Sequence, residues 1–205
     1  MILASASPRR ARILDDMGMQ AHIIKPQVEE RRRRGEPPVD YARRMAQYKA
    51  LWAFMNHPDE TADQTVIAAD TVVWNDDGRI FDKPADWDEA KRMLGELSGK
   101  VHHVTTGVCI VIDGTTGRHW RTECTLHDTT DVEFYDLSEN DIMRYVSTNE
   151  PMDKAGGYGI QGQGRLLVRS ITGDYYNVVG LPIAKVMRKL DTMQAGIADP
   201  TSYWF

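Results

Sequence analysis

Six charged side chains hold most of the chemical promise of this chain: Arg9, Arg10, Glu30, Lys49, Asp70 and Lys83. The two arginines stand in "SPRR", directly after the apolar stretch "MILA". Met1 to Ala4 read as a short strand, Ser7 as an N-cap and Pro8 as the first helical residue, where a missing N–H costs nothing. Arg9 and Arg10 then fall in the first turn of a helix, where the dipole already disfavours cations. Backbone N–H groups, a positive dipole end and two guanidinium forks together make an anion site, most naturally for phosphate. Asp70 poses the converse problem, because it interrupts "VIAADTVV", a strand apolar enough to be buried on both faces. A carboxylate there is costly unless it is paired or metal-bound, which makes it a candidate for function. Lys49 in "QYKA" and Lys83 in "FDKP" are single lysines that gain meaning only in that company. Glu30 and Asp70 are the carboxylates best suited to a hard cation, since magnesium uses few protein ligands and borrows phosphate oxygens from its substrate.

Other chemistries are poorly supported. Gly157, Gly159 and Gly162 formally satisfy G-x-G-x-x-G, but a dinucleotide loop needs a strand before it and a helix after it, and here the strand "RLLVRSI" follows. The glycines serve instead to bring backbone close to a ligand or a packed turn. His102 and His103 are adjacent on a strand and point to opposite faces, and Cys124 with His127 lacks a second pair, so no structural zinc is expected. No nucleophile elbow is visible.

The elements that must position these residues follow from periodicity and punctuation. A first helix ends near Gly18, "QAHIIK" reads as a strand, and "PQVEERRRRGEPP" reads as a loop in which Arg31 to Arg34 are solvated. Pro38 starts a helix to about His57, with Val39, Ala42, Met45, Ala46, Ala50 and Ala53 at near-helical spacing. The run "TVIAADTVVW" is turned by "NDDG" into "RIF" as a hairpin. Asp86 and Glu89 have the spacing of a capping box for a helix that stops at Gly99. Two long strands follow, "VHHVTTGVCIVI" and "HWRTECTLHDTTDVEFY", joined by "DGTTG". Ser138 caps a helix to about Thr148, and Pro182 opens the last helix, whose buried stripe is Ile183, Val186, Met187 and Leu190. The fold class is therefore α/β with a mixed, partly hairpin-built sheet, in one domain over residues 1–195 with a loosely ordered tail over 196–205.

With 205 residues, 41% hydrophobic and 27% charged, the chain has the composition of a soluble globular protein. No membrane span and no secretory signal is visible, and Cys109 and Cys124 do not fall opposite each other across the expected hairpin, which predicts free thiols in the cytoplasm. A net charge of −5 argues against a nucleic-acid partner. Residues 1–50 nevertheless hold 11 Lys and Arg against 6 Asp and Glu, while the remainder holds 14 against 24, so the acidic chain has one basic quarter. Without interleaved aromatics, that quarter is not a base-stacking surface.

In order and with matching spacing, "LASASPRR", "VEE", "AQYKA", "AADTVV", "DKP", "LSGKVHHVTTGV", "DKAGGYGIQG" and "GDYYNVVGLP" resemble the Maf family of nucleoside triphosphate pyrophosphatases from Ile2 to about Leu190. The resemblance implies an elongated mixed β-sheet flanked by helices, with two lobes and a central cleft, similar to the fold of inosine triphosphatases. It implies phosphate contacts from Ser5, Arg9, Arg10, Lys49 and Lys83. It implies a divalent metal cofactor, Mg²⁺, Mn²⁺ or Co²⁺, held by Glu30, with Asp70 as catalytic base or metal ligand. The reaction implied is attack of water on the α-phosphorus of a nucleoside triphosphate, giving a monophosphate and pyrophosphate, as nucleotide-pool housecleaning. Arg9, Thr71 and Gln161 match the branch that resembles dTTP and UTP hydrolases, and an amide at Gln161 suits a pyrimidine edge. A homodimer is expected from the same resemblance. The alternative it leaves is a nucleotide-binding regulator of cell division without essential catalysis, which would have no need of Asp70 beside a polyanion.

Overall fold

The computed structural model describes residues 1–114 and 120–195. Its strands are β1 (Ile2–Ala4), β2 (His22–Ile24), β3 (Thr65–Trp74), β4 (Ile80–Phe81), β5 (Val101–Gly114), β6 (Trp120–Phe134) and β7 (Val168–Thr172). They form one sheet in the order β2-β1-β3-β5-β6-β7, with β4 paired to β3. β1 runs parallel to β2 and β3, and the pairs from β3 to β7 are antiparallel, so the sheet is mixed. Its helices are α1 (Pro8–Asp16), α2 (Pro38–Asn56), α3 (Pro58–Thr61), α4 (Trp87–Leu97), α5 (Glu139–Val146), α6 (Tyr175–Val179) and α7 (Ile183–Ala195).

The central strand reads as a continuous apolar run because both of its faces are covered. Val66 and Ala68 pack with Ala46, Ala50, Ala53 and Phe54 of α2. Ile67 and Ala69 face the other way, with Ile13 and Leu14 of α1 and Val186 and Leu190 of α7. By this alternation Asp70 belongs to the α2 face and Thr71 to the α1 face. A further cluster joins α4 and α5 to the far part of the sheet through Leu94, Leu97, Phe134 and Tyr145.

α2 lies close to β5 because of Gly107, which stands opposite Asp70 in the ladder. A Cβ there would come within 2.4 Å of the Ala42 carbonyl carbon. Helix backbone therefore rests on strand backbone, and Lys49, two turns beyond Ala42, comes over the Asp70 face of the sheet.

Most predicted elements are present, with instructive differences. Ser7 occupies the N-cap of α1, yet its side chain does not cap the helix. Asp86 does accept from the Glu89 N–H at 2.8 Å, but Glu89 reaches back to the Ala85 N–H and not to Asp86, so the box is open by one residue. The strand expected over "RLLVRSI" begins only at Val168, after a 3₁₀ turn over Gln163–Leu166. The N–H groups of Gln163 and Gly164 are spent on a carboxylate, that of Glu150, which removes them from any ladder. α3 and α6, each a single short turn or two, carry too few periodic positions to be foreseen. Arg31 to Arg34 are exposed. Cys109 pairs with Thr125 and Ile110 with Cys124, so the two free thiols are out of register. The expected "DGTTG" connection and the tail fall largely or wholly outside the described residues.

Gly107→Ala should cost about 1–3 kcal/mol, because strand and helix backbones must separate to admit the methyl group. Thermal melting measures this, and an unchanged melting temperature would mean that this close approach is not what seats α2.

Candidate active site

The site begins as a gap in the sheet. On one edge of β3, β1 ends at the pair Ala4–Ala68 and β4 begins at Val73–Phe81, while β5 covers the other edge throughout. Residues 69–72 thus have no strand beside them on that edge, and their backbone groups need other partners. Arg10 supplies one. Its Nη1 donates to the Ala69 carbonyl at 2.8 Å and to Ser5 Oγ at 3.0 Å, its Nε to the Gly180 carbonyl at 2.7 Å and its Nη2 to Thr71 Oγ1 at 2.9 Å. Four of its five N–H groups are engaged by the protein, and one on Nη2 is left for a ligand. The guanidinium is buried, which pushes its pKa down while the charge of Asp70 pulls it back up. Thr71 Oγ1 also meets Thr106 Oγ1 at 2.8 Å, so its hydroxyl is tied into the sheet.

Ser5 is buried at the end of β1, where its Oγ accepts from both Arg10 and the Ser7 N–H. Its own hydroxyl proton is the donor that remains. Because no side chain caps α1, the first-turn N–H groups of that helix lie beside this hydroxyl at the cleft, a favourable setting for an anion.

On the α2 face, Lys49 Nζ lies 2.6 Å from Asp70 Oδ1 and 2.6 Å from Glu30 Oε1. Two carboxylates from distant parts of the chain thus converge on one cationic point. Burial raises the Asp70 pKa against the opposing pull of Lys49, and the charge of Glu30 raises it further. Burial acts on Glu30 in the same sense, but there Lys49 prevails and the carboxyl is held below its ordinary range. The nearly buried carboxylate is therefore the better proton acceptor and the more open one the more firmly ionised. Glu30 is held in place by its neighbour in sequence, since Arg44 of α2 donates to the Arg31 carbonyl at 3.0 Å and grips Glu36 at 2.5 and 2.6 Å.

These groups line a cleft of about 660 Å³ that also takes in Arg9, Lys83 and Gln161. All nine side chains singled out from the sequence, Ser5, Arg9, Arg10, Glu30, Lys49, Asp70, Thr71, Lys83 and Gln161, are in its wall. Among the described residues, no group of three or more His, Cys, Asp or Glu side chains is arranged to hold a metal ion. What the cleft offers a hard cation is the Glu30–Asp70 pair. The family described as Maf-like protein matches residues 1–193 of this sequence.

The chain belongs to the Maf family. A dTTP/UTP pyrophosphatase of Bacillus velezensis is 47% identical over 190 residues, which cover 93% of this chain and 94% of that one. Proteins of the same description from Bacillus cereus and Symbiobacterium thermophilum are each 43% identical over 190 residues, covering 93% of this chain and 93% and 92% of their own lengths. A solved nucleoside-triphosphatase, or dITP/XTP pyrophosphatase, of Mycobacterium abscessus aligns over 97% of both chains at 14% identity and a TM-score of 0.41.

In this Maf protein the far wall of the cleft comes from residues to which the sequence assigned no role: Glu150, Asp153, Lys154, Tyr158 and Gly180. Arg9 Nη1 reaches Asp153 Oδ2 at 3.5 Å, and Lys154 Nζ reaches Asp153 Oδ1 at 2.6 Å. Lys83 is exposed, and it makes no ion pair or side-chain hydrogen bond among the described residues, so its ammonium is free for an anion. Tyr158 is anchored from beneath by His102, whose Nε2 lies 2.9 Å from the phenol oxygen and whose pKa burial pushes down to about 3. Asp153, Lys154 and Tyr158 stand in "DKAGGYGIQG", but a segment half glycine and alanine does not announce which of its charges face inward, and Glu150 and Gly180 lie outside it.

Arg10→Lys tests whether the buried arginine acts through its fork or its charge. A lysine can reach only some of the four acceptors, and the variant should lose on the order of 3 kcal/mol of stability along with nucleotide binding. Retention of both, by thermal melting and equilibrium binding, would reduce Arg10 to a point charge.

Proposed function

We propose that this Maf protein hydrolyses pyrimidine nucleoside triphosphates, dTTP and UTP, to the monophosphate and pyrophosphate, and so clears unwanted nucleotides from the pool. The observation that carries the reading is the mixed charge of one cleft: Arg9, Arg10 and Lys83 line it together with Glu30 and Asp70, which converge on Lys49, around a space sized for a nucleotide. The names of relatives at 43–47% identity over more than nine-tenths of the chain point the same way.

In this reading the polyphosphate lies along Ser5, the start of α1, Arg9 and the free N–H of Arg10, with Lys83 closing on its other side. Asp70 takes the proton of a water whose oxygen bonds to the α-phosphorus, as the bond from that phosphorus to the bridging oxygen breaks and pyrophosphate leaves. The Glu30 and Asp70 oxygens, both 2.6 Å from one nitrogen, fit a divalent cation such as Mg²⁺, Mn²⁺ or Co²⁺, which would supply neutralisation of phosphate charge. Lys49 then moves from the carboxylates onto phosphate. Gln161 offers an amide donor and acceptor to the base, while Thr71 acts through the Arg10 fork it accepts from and Arg9 through its pairing with Asp153. A homodimer in the cytoplasm completes the proposal, and the free thiols of Cys109 and Cys124 fit that compartment.

The experiment is product identity. Purified protein with a divalent metal is offered dTTP, UTP, CTP, GTP and 7-methyl-GTP, with pyrophosphate and orthophosphate assayed separately. Pyrophosphate and a pyrimidine monophosphate are expected, with turnover reduced about 100-fold or more in Asp70→Asn while nucleotide still binds. Orthophosphate as first product, or full turnover by Asp70→Asn, would overturn the mechanism.

A further inference from the structure

Gln161 stands at the tip of a glycine-rich loop, a poor place from which to discriminate between bases. Flexible backbone blurs the position of an amide, and specificity needs donors and acceptors held within a fraction of an ångström. The loop is not left free, however. Glu150, from the 3₁₀ turn Glu150–Asp153, spends its whole carboxylate on the loop and on a neighbouring phenol. Oε2 accepts the Gln163 N–H at 2.7 Å, and Oε1 accepts the Gly164 N–H at 3.2 Å and the Tyr145 hydroxyl at 3.1 Å. That hydroxyl in turn accepts the Gly159 N–H at 3.1 Å. Residues on both sides of Gln161 are thus fastened to one carboxylate and one phenol.

The packing is as tight as the bonding. A Cβ on Gly162 would lie 2.2 Å from a Glu150 carboxylate oxygen, and one on Gly164 would lie 2.8 Å from the Tyr145 oxygen. The glycines that make the loop pliable in sequence are therefore what lets it close onto this pair. Tyr145 is buried in the core of the α4–α5 region, so the latch is anchored in rigid structure. Lys154 Nζ donates to the Glu150 carbonyl at 2.7 Å, which fixes the latch residue itself.

We propose that Glu150 is the positioning residue for base selection: it holds the 159–164 loop so that Gln161 presents its amide to the base at one place. The proposal rests on the reading of Gln161 as the base contact. Both carboxylate oxygens of Glu150 are taken up by the loop N–H groups and the Tyr145 hydroxyl, so its loss acts on the choice of nucleotide more than on the chemical step.

The test compares kcat and KM for dTTP and CTP in wild type, Glu150→Gln, Gln161→Ala and the double variant. Glu150→Gln keeps the shape but turns N–H groups toward peptide N–H donors. It should lower the dTTP-to-CTP ratio of kcat/KM about tenfold, mostly through KM for dTTP, with kcat changed less than about threefold. In the Gln161→Ala background the same change should add almost nothing, since both act through one amide. An unchanged ratio in Glu150→Gln, while Gln161→Ala collapses it, overturns the latch and leaves the base contact standing. An unchanged ratio in Gln161→Ala overturns the base contact and the latch with it. An equal fall of kcat on both nucleotides shows Glu150 to be merely structural. If Glu150→Gln does not fold, Tyr145→Phe, which removes the shared hydroxyl, should shift the ratio in the same direction by a smaller factor.

Discussion

A buried guanidinium that donates to four acceptors holds this structure open where a sheet would otherwise close. Arg10 takes the place of the strand missing between β1 and β4, binding the Ala69 carbonyl while tying β3 to Ser5 and to the backbone at Gly180. Without it the gap would leave buried polar groups unpaired, at a cost of about 1–3 kcal/mol each. With it, the edge of a central strand becomes the floor of a cleft. The site thus exists because a short strand stops early and a side chain, not another strand, completes its neighbour's hydrogen bonding.

The same gap explains how oppositely charged groups come to share one space. At consecutive positions of β3, Asp70 projects toward α2 and Thr71 toward α1, so one strand edge presents a carboxylate to one layer and a hydroxyl to the other. Lys49 reaches Asp70 because Gly107 lets α2 settle onto the sheet, and Glu30 joins them because Arg44 and Glu36 pin its loop. Burial alone would drive Asp70 toward its neutral form; the ammonium beside it opposes that shift. In the proposed function, a phosphate chain that draws Lys49 off the two carboxylates would replace one set of charge pairs by another, so binding would exchange electrostatic partners and not create charge in a dry cavity.

How much of this could be read without coordinates depends on what each residue answers to. Asp70 was conspicuous because it breaks a local rule, a charge within a buried strand, and rule-breaking residues concentrate at sites. Arg9 and Arg10 were conspicuous for the same reason, but their division of labour was not legible. Burial of one and partial exposure of the other depends on the Gly180 carbonyl, 170 residues away in sequence. The large elements followed from periodicity and caps. What did not follow was the segment from Glu150 to Leu167, where three 3₁₀ turns succeed one another without a repeating apolar stripe. Its shape is fixed by a carboxylate taking peptide N–H groups that a strand would have used, a long-range bond no local propensity encodes.

In the proposed function, phosphate chemistry and base choice are built from different materials. Phosphate oxygens are recognised by charge and by many donors, so tolerances are loose and arginine, lysine and a helix end suffice. A base edge differs from its competitors by one or two hydrogen-bonding atoms, and a misplaced amide reads them no better than water does. The first task can be given to side chains that swing, such as Lys83. The second requires backbone that cannot move, and in this fold rigidity comes from glycines pressed against an acidic side chain and a buried phenol. Glycine, the most flexible residue in an unfolded chain, here permits the close contact that removes flexibility.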